Sequence, residues 1–151
     1  MMLKKIPSFM DAELLWTLAS MGHGDEIAIV DRNFSARRVA DRTSSKRLIV
    51  LPGVDATTAV AGILELFPLD DFVEFPIIHM GPVEDHTLLL DVHAEVIAAC
   101  CLAEGRAINS RAVERAAYYP LAEASFAVVQ TAEARPYANF ILKKGVVSAG
   151  R

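Results

Sequence analysis

The residues with the most chemical potential lie in one early stretch, Met21-Gly22-His23-Gly24-Asp25-Glu26, which runs through Ile27-Ala28-Ile29-Val30 to Asp31. An imidazole titrates near neutrality, so His23 is suited both to giving and to taking a proton. Its two glycine neighbours leave room for a ligand to approach the ring. A histidine here could equally be a turn residue bonded to a backbone carbonyl, and Asp31 an aspartate at a strand end bonding the next turn. A second group is Arg135-Pro136-Tyr137-Ala138-Asn139. It sets a phenol and an amide two residues apart, which on a strand face the same way and suit the binding of hydroxyl groups. The alternative is an ordinary turn carrying a surface tyrosine.

Other constellations carry less. His79, His86 and His93 are evenly spaced, but the surrounding pattern puts the first at a strand end, the second in a turn and the third early in a helix. Equal spacing therefore does not gather them on one face. With no His-Glu-x-x-His and no cysteines at ligand spacing, metal binding is not expected. Gly22-His23-Gly24 lacks the third glycine of a phosphate-cradling loop and precedes a strand, not a helix. No serine or cysteine nucleophile with a neighbouring base is visible. Cys100 and Cys101 are adjacent in an alanine-rich helical pattern, which disfavours a disulfide between them and suits reduced thiols in a cytoplasmic protein.

These groups must be positioned by a regular framework. Asp11 or Ser8 can cap a first helix reaching Met21, with Leu14, Leu15 and Leu18 at helical spacing and Gly22 as the residue tolerating positive φ at its end. Residues 27–30 read as a strand covered on both faces. That strand places His23 and Asp31 at opposite ends unless the chain curls back or a neighbouring subunit joins them. The basic stretch 32–47 reads mostly as loop. Residues 48–51 form a second buried strand, stopped by Pro52-Gly53, and Asp55 caps a helix that ends at Phe67-Pro68. A third strand covers 72–80, where Pro76 implies an edge or a bulge. A helix over 90–103 ends before Gly105. Residues 106–108 suggest a short strand, and Pro120 suggests a short helix starting near Tyr119. Strands follow at 126–130 and 139–142. The alternation predicts an α/β fold of three layers, helices on both faces of a mixed, largely parallel sheet.

Composition narrows the class. The chain has 151 residues, 53% of them hydrophobic, and a formal net charge of −4, a length that suits one domain over 1–151 with a substantial core. Mean hydropathy is +0.32, yet no apolar run approaches the ~20 residues of a membrane span. The excess points to fully buried strands and to subunit interfaces. The acidic balance argues against nucleic-acid binding, and the N-terminal stretch lacks the apolar core of a signal peptide. A cytoplasmic homo-oligomer with no membrane segment is expected.

Four motifs together carry a resemblance: Met21-Gly22-His23-Gly24-Asp25-Glu26; Asp31 with Asn33-Phe34; Glu114-Arg115 before Tyr118-Tyr119; and Pro136-Tyr137-Ala138-Asn139-Phe140-Ile141-Leu142-Lys143-Lys144-Gly145. The chain resembles the RbsD/FucU sugar mutarotase family, which includes fucose mutarotase and ribose pyranase, over about 6–147. Its glycine-flanked histidine, Arg115 and the Lys143-Lys144 pair are closer to the fucose branch. The resemblance implies an isomerase that interconverts the anomers of L-fucose or a related aldose by acid–base ring opening, with no cofactor or metal. It implies His23 as the catalytic acid/base, with Asp31, Arg115, Tyr119, Tyr137 and Asn139 binding the sugar. It also implies a ring-shaped pentamer or decamer whose sites are shared between subunits. Arg32 stands where the family usually has alanine, and Ala116 and Pro120 where a phenylalanine and a glutamate are typical; these departures bear on which sugar is used. The alternative is a non-catalytic sugar-binding or regulatory component of a monosaccharide uptake system.

Overall fold

A computed structural model describes residues 2–149. At its centre is a six-stranded sheet of order β2-β5-β1-β6-β3-β4. The strands are β1 (Glu26–Val30), β2 (Leu48–Val50), β3 (Ile77–Met80), β4 (Ser110–Val113), β5 (Ala127–Gln130) and β6 (Phe140–Lys143). Pairings β1–β5, β2–β5 and β3–β4 are parallel, and only β6 runs against its neighbours β1 and β3. The sheet is therefore mixed and largely parallel, as the alternation of elements predicts.

Side-chain alternation along β1 builds both cores. Ile27 and Ile29 face α1 (Ala12–Ser20), α3 (Ala56–Leu64) and α4 (Asp91–Glu104), in a cluster with Leu14, Val60, Ile63 and Val96. Ala28 and Val30 face the opposite way, towards α2 (Ala36–Ala40) and α5 (Arg115–Glu123), with Val39, Tyr118 and Ile141. Ile27, Ala28, Ile29 and Val30 have no exposed surface, and burying each isoleucine is worth about 1.5–3 kcal/mol. Three layers result.

The capped helices follow their sequence signals. Asp11 accepts from the Leu14 N–H at 2.8 Å and Asp55 from the Thr58 N–H at 2.8 Å. Gly105 closes α4 in the left-handed conformation at φ 66°.

Several expectations need correction. The positive φ after α1 belongs to Gly24 (85°) and not to Gly22, because α1 ends on an extended Met21. The basic stretch contains the one-turn helix α2, whose Ala36, Val39 and Ala40 dock on the sheet while its arginines stay outside. β2 is an edge strand with Val50 exposed, not a buried one. β3 begins only after Pro76 and lies inside the sheet; the proline sits before the ladder, where no N–H is needed, and its carbonyl accepts from the Lys143 N–H. The short strand near 106–108 forms instead at Ser110–Val113, where it can pair with β3. α5 begins at Arg115, with Pro120 in its second turn. That proline forgoes one bond to the carbonyl of Ala116, an exposed residue with water at hand.

Candidate functional site

The C-terminal end of β1 opens into a cleft of about 240 Å³ lined by Asp31, Arg115, Tyr119, Tyr137 and Asn139, with Asn33, Phe34, Met80 and Pro136 completing the walls. All five residues implied to bind sugar thus converge. They come from the end of β1, from α5 and from the turn before β6.

Asp31 and Asn139 lock together first. The Asp31 N–H donates to Asn139 Oδ1 at 2.9 Å, and Asn139 Nδ2 donates back to Asp31 Oδ2 at 3.2 Å. The other carboxylate oxygen accepts from the Asn33 N–H at 3.0 Å, so a tight turn follows the strand. Burial raises the Asp31 carboxyl above its ordinary range, against the lowering effect of the Asn33 N–H, the Asn139 amide and the Phe34 N–H. The result is an oriented acceptor at the cleft floor.

The aromatic wall depends on the corrected start of α5. A helix from Arg115 puts Arg115 and Tyr119 one turn apart on one face. Arg115 donates to the Tyr119 hydroxyl at 3.2 Å, and the Tyr119 ring stacks on Phe34 at 5.0 Å with 13° between planes. Tyr118 points into the core instead, its hydroxyl donating to the Phe140 carbonyl at 2.9 Å. Tyr137 and Asn139 line the same cleft, but not as alternate residues of a strand: Tyr137 lies in a turn with φ 62°.

His23 is not in this cleft. It lies beyond the N-terminal end of β1, and the five-residue strand alone spans roughly 15 Å at ~3.3 Å per residue. There its Nε2 lies 3.0 Å from Asp70 Oδ1, and the ring tilts against Phe72 at 5.1 Å. The His23 side chain is 45% exposed whereas Asp70 is 4% exposed. Burial opposes ionisation of Asp70, but the Phe72 N–H and the His23 ring prevail, and its carboxyl lies below the ordinary range.

The Lys143-Lys144-Gly145 segment ties the His23 and Asp70 loops together. The Gly24 N–H donates to the Lys144 carbonyl at 2.8 Å, and the Asp70 N–H donates to the Lys143 carbonyl at 3.0 Å. The Lys144 ammonium donates to the carbonyls of Leu18 and Met21 at the end of α1, at 3.0 and 2.7 Å. Gly145 passes so close that an added Cβ would sit 2.7 Å from the Leu69 carbonyl oxygen.

Asp70 and Phe72 were not singled out from the sequence; Asp70-Asp71 before an aromatic has no spacing that points to His23. Asn33, Phe34, Met80 and Pro136 were missed as wall residues, although Asn33-Phe34 and Pro136 belong to the motifs that carry the resemblance. Of the three evenly spaced histidines, His86 stands apart, 3.9 Å from Glu114. His79 and His93 do meet, their rings 4.4 Å apart, because β3 and the start of α4 pack together where sequence spacing gives no hint. Among the described residues no group of three or more His, Cys, Asp or Glu side chains is arranged to hold a metal, and no helix is long and apolar enough to cross a membrane.

Comparison with known proteins places the chain. The model of the RbsD / FucU transport protein family matches residues 4–147. An L-fucose mutarotase of Glaesserella parasuis serovar 5 is 39% identical over 145 residues, 96% of each chain. The crystal structure of protein Atu2016 superposes with a TM-score of 0.92 at 34% identity, covering 97% of both chains. That of the fucose mutarotase of Streptococcus pneumoniae in complex with L-fucose gives 0.81 at 32% identity, covering 97% of this chain and 100% of the other.

Proposed function

This chain belongs to the RbsD / FucU family, and from that premise we propose that it is a sugar mutarotase. It acts on L-fucose or a related aldose as an isomerase, interconverting the α and β anomers. The observation that carries this reading is the convergence of Asp31, Arg115, Tyr119, Tyr137 and Asn139 on one hydroxyl-binding cleft, in a chain that is similar along nearly its whole length to L-fucose mutarotases.

In this reading His23 is the acid/base. Ring opening needs a proton delivered to the ring oxygen and one removed from the anomeric hydroxyl. The C1–O5 bond then breaks to the aldehyde, C1 rotates, and the hydroxyl adds back on the other face. Asp70 accepts the Nε2–H, which leaves Nδ1 with a free lone pair for the sugar. Asp31, Asn139, Tyr137 and Arg115 grip hydroxyls and so fix which oxygens the imidazole reaches. Proton transfer by a positioned group is worth ~10²–10⁴, enough to outpace a reaction that water itself performs.

His23 and the cleft lie at opposite ends of β1, so a complete site needs the His23 of a second copy. The apolar surfaces suit such an arrangement: Phe72, Val73 and Phe75 are exposed on the His23 side, and Val83, Leu88 and Leu89 on the other, where the Val83 N–H lies 3.4 Å from the Tyr137 hydroxyl. Two different surfaces meeting head to tail generate a ring when the rotation closes. The chain is thus one catalytic domain of a closed homo-oligomer, a pentameric ring or a decamer, working in the cytoplasm.

Anomer exchange measured by saturation-transfer NMR tests the activity, with L-fucose first and other aldoses after it. A wild type that binds sugar yet exchanges none of them would make it a binding protein instead. Shared sites are tested by mixing subunits. At sugar concentrations well below saturation, His23→Ala (slow proton transfer) and Asp31→Ala (weak binding) are each expected to show little exchange, and co-assembled rings to recover roughly a quarter of the wild-type rate by random pairing. No recovery in mixed rings would place both groups in one subunit.

A further inference from the structure

His93 belongs to neither end of the site as described, yet its environment is the most tightly specified of the four histidines. It is fully buried in the first turn of α4. Its Nδ1 accepts from the Leu90 N–H at 3.1 Å, so the other nitrogen must carry the hydrogen, and Nε2 lies 2.8 Å from the Tyr137 carbonyl. One tautomer of a neutral ring satisfies both bonds. His79 at 4.4 Å and the edge of Phe140 at 5.9 Å hold the ring plane.

Its acceptor sits in a costly conformation. Tyr137 has φ 62°, a left-handed backbone that strains a side-chain-bearing residue. Such strain persists only where the surroundings over-determine it. Tyr137 also lines the cleft, and Asn139, two residues on, forms the reciprocal pair with Asp31. A second tether from α4 reaches the same loop: Arg135 bonds Glu95 at 2.8 Å and Glu133 at 3.0 Å. That pair is partly exposed, so it contributes little beside the buried bond.

We propose that His93 is a positioning residue of the sugar cleft: its Nε2–H holds the Tyr137 carbonyl and keeps the left-handed turn that aims the phenol at the substrate. The inference rests on the mutarotase reading for its effect on sugar, but not for its effect on the turn. Relaxing Tyr137 to negative φ swings the side chain off the cleft wall, while the chemistry at His23 is untouched.

The test compares His93→Leu and His93→Gln in assembled protein, with His93→Met as a second apolar variant that adapts to the space. The leucine and methionine variants are expected to weaken L-fucose binding by about tenfold, with exchange at saturating sugar within about threefold of wild type. The glutamine variant, which keeps an N–H donor, is expected to recover most of the affinity. Adding His93→Leu to Tyr137→Phe is expected to cost less than the two separate losses combined, because both act through one ring. Wild-type affinity in the apolar variants, or full additivity, overturns the proposal. Two readouts need no sugar. Crystals of the ligand-free apolar variants are expected to show Tyr137 out of the left-handed region, and ¹⁵N correlation spectra of the wild type to show His93 protonated at Nε2. An unchanged turn, or the opposite tautomer, ends the inference even if the protein proves to bind no monosaccharide.

Discussion

The two ends of β1 differ in kind. At the C-terminal end, Asp31 and Asn139 are buried, bonded to each other twice and walled by aromatics. At the N-terminal end, His23 stands half in solvent, tethered by Asp70 and flanked by an exposed Phe72. One end has fixed polar groups but lacks a histidine among its lining; the other has an accessible imidazole but no walls. A group that binds gains from being rigid before the ligand arrives. A group that moves protons must be reachable, and needs only its tautomer and direction fixed. In the proposed mechanism, recognition and proton transfer therefore stand on separate supports, which the packing of one subunit on the next must join.

The largest expected effect breaks the N-terminal end. His23→Ala should slow anomer exchange by ~10²-fold or more, about 2.7 kcal/mol of barrier, while sugar affinity changes by only a few-fold. Saturation-transfer NMR beside a binding titration reads both, and a wild-type rate in a sugar-binding variant would remove His23 from the mechanism. Asp70→Asn keeps the shape but permits the wrong tautomer. It should slow exchange by about tenfold at unchanged affinity, less than a fully buried histidine–aspartate pair would lose.

The opposite signature belongs to the C-terminal end. Asn139→Ala should weaken sugar binding by about tenfold, about 1.4 kcal/mol, by releasing Asp31 from its partner. The rate at saturation should fall by no more than a few-fold. An Asn139 variant that lost rate but kept affinity would erase the division of labour.

The smallest effect is on stability and sharpens the contrast in what supports each end. His79, packed against His93, has its ordinary value of 6.5 pushed down to about 4, first by burial and then by the nearby His93. A base whose folded value is depressed stays neutral while the unfolded chain takes up a proton, so stability is lost as pH falls from about 6.5 towards 4. Urea unfolding across that range should show the slope, and His79→Asn should reduce it, leaving the share of buried His93, whose value is lowered too.

Much was legible in the sequence because it depends on local order. The run 27–30 gave a strand buried on both faces, since four consecutive apolar residues have no polar side to turn to water. Asp11, Asp55 and Gly105 marked helix ends by backbone chemistry that acts within one turn. The separation of His23 from Asp31 also followed from the strand between them. Other features needed partners distant in sequence. Pro120 reads locally as a helix start, yet α5 begins at Arg115 because Tyr118 and Ala122 have a sheet face to cover. Residues 72–75 have strand composition but lie between Asp70 and Pro76 outside any strand. Asp70 meets His23 across 47 residues and His93 meets Tyr137 across 44. Such contacts carry no periodicity, because they are made by loops brought together when β6 inserts between β1 and β3. The sequence by itself determined the strand that separates His23 from Asp31 and, through its resemblance to the family, the residues proposed to bind a sugar and move a proton. Only the tertiary structure decided that Arg115, Tyr119, Tyr137 and Asn139 gather at the Asp31 end of that strand and Asp70 at the His23 end, because register and packing, not composition, set which loops share an end of the sheet.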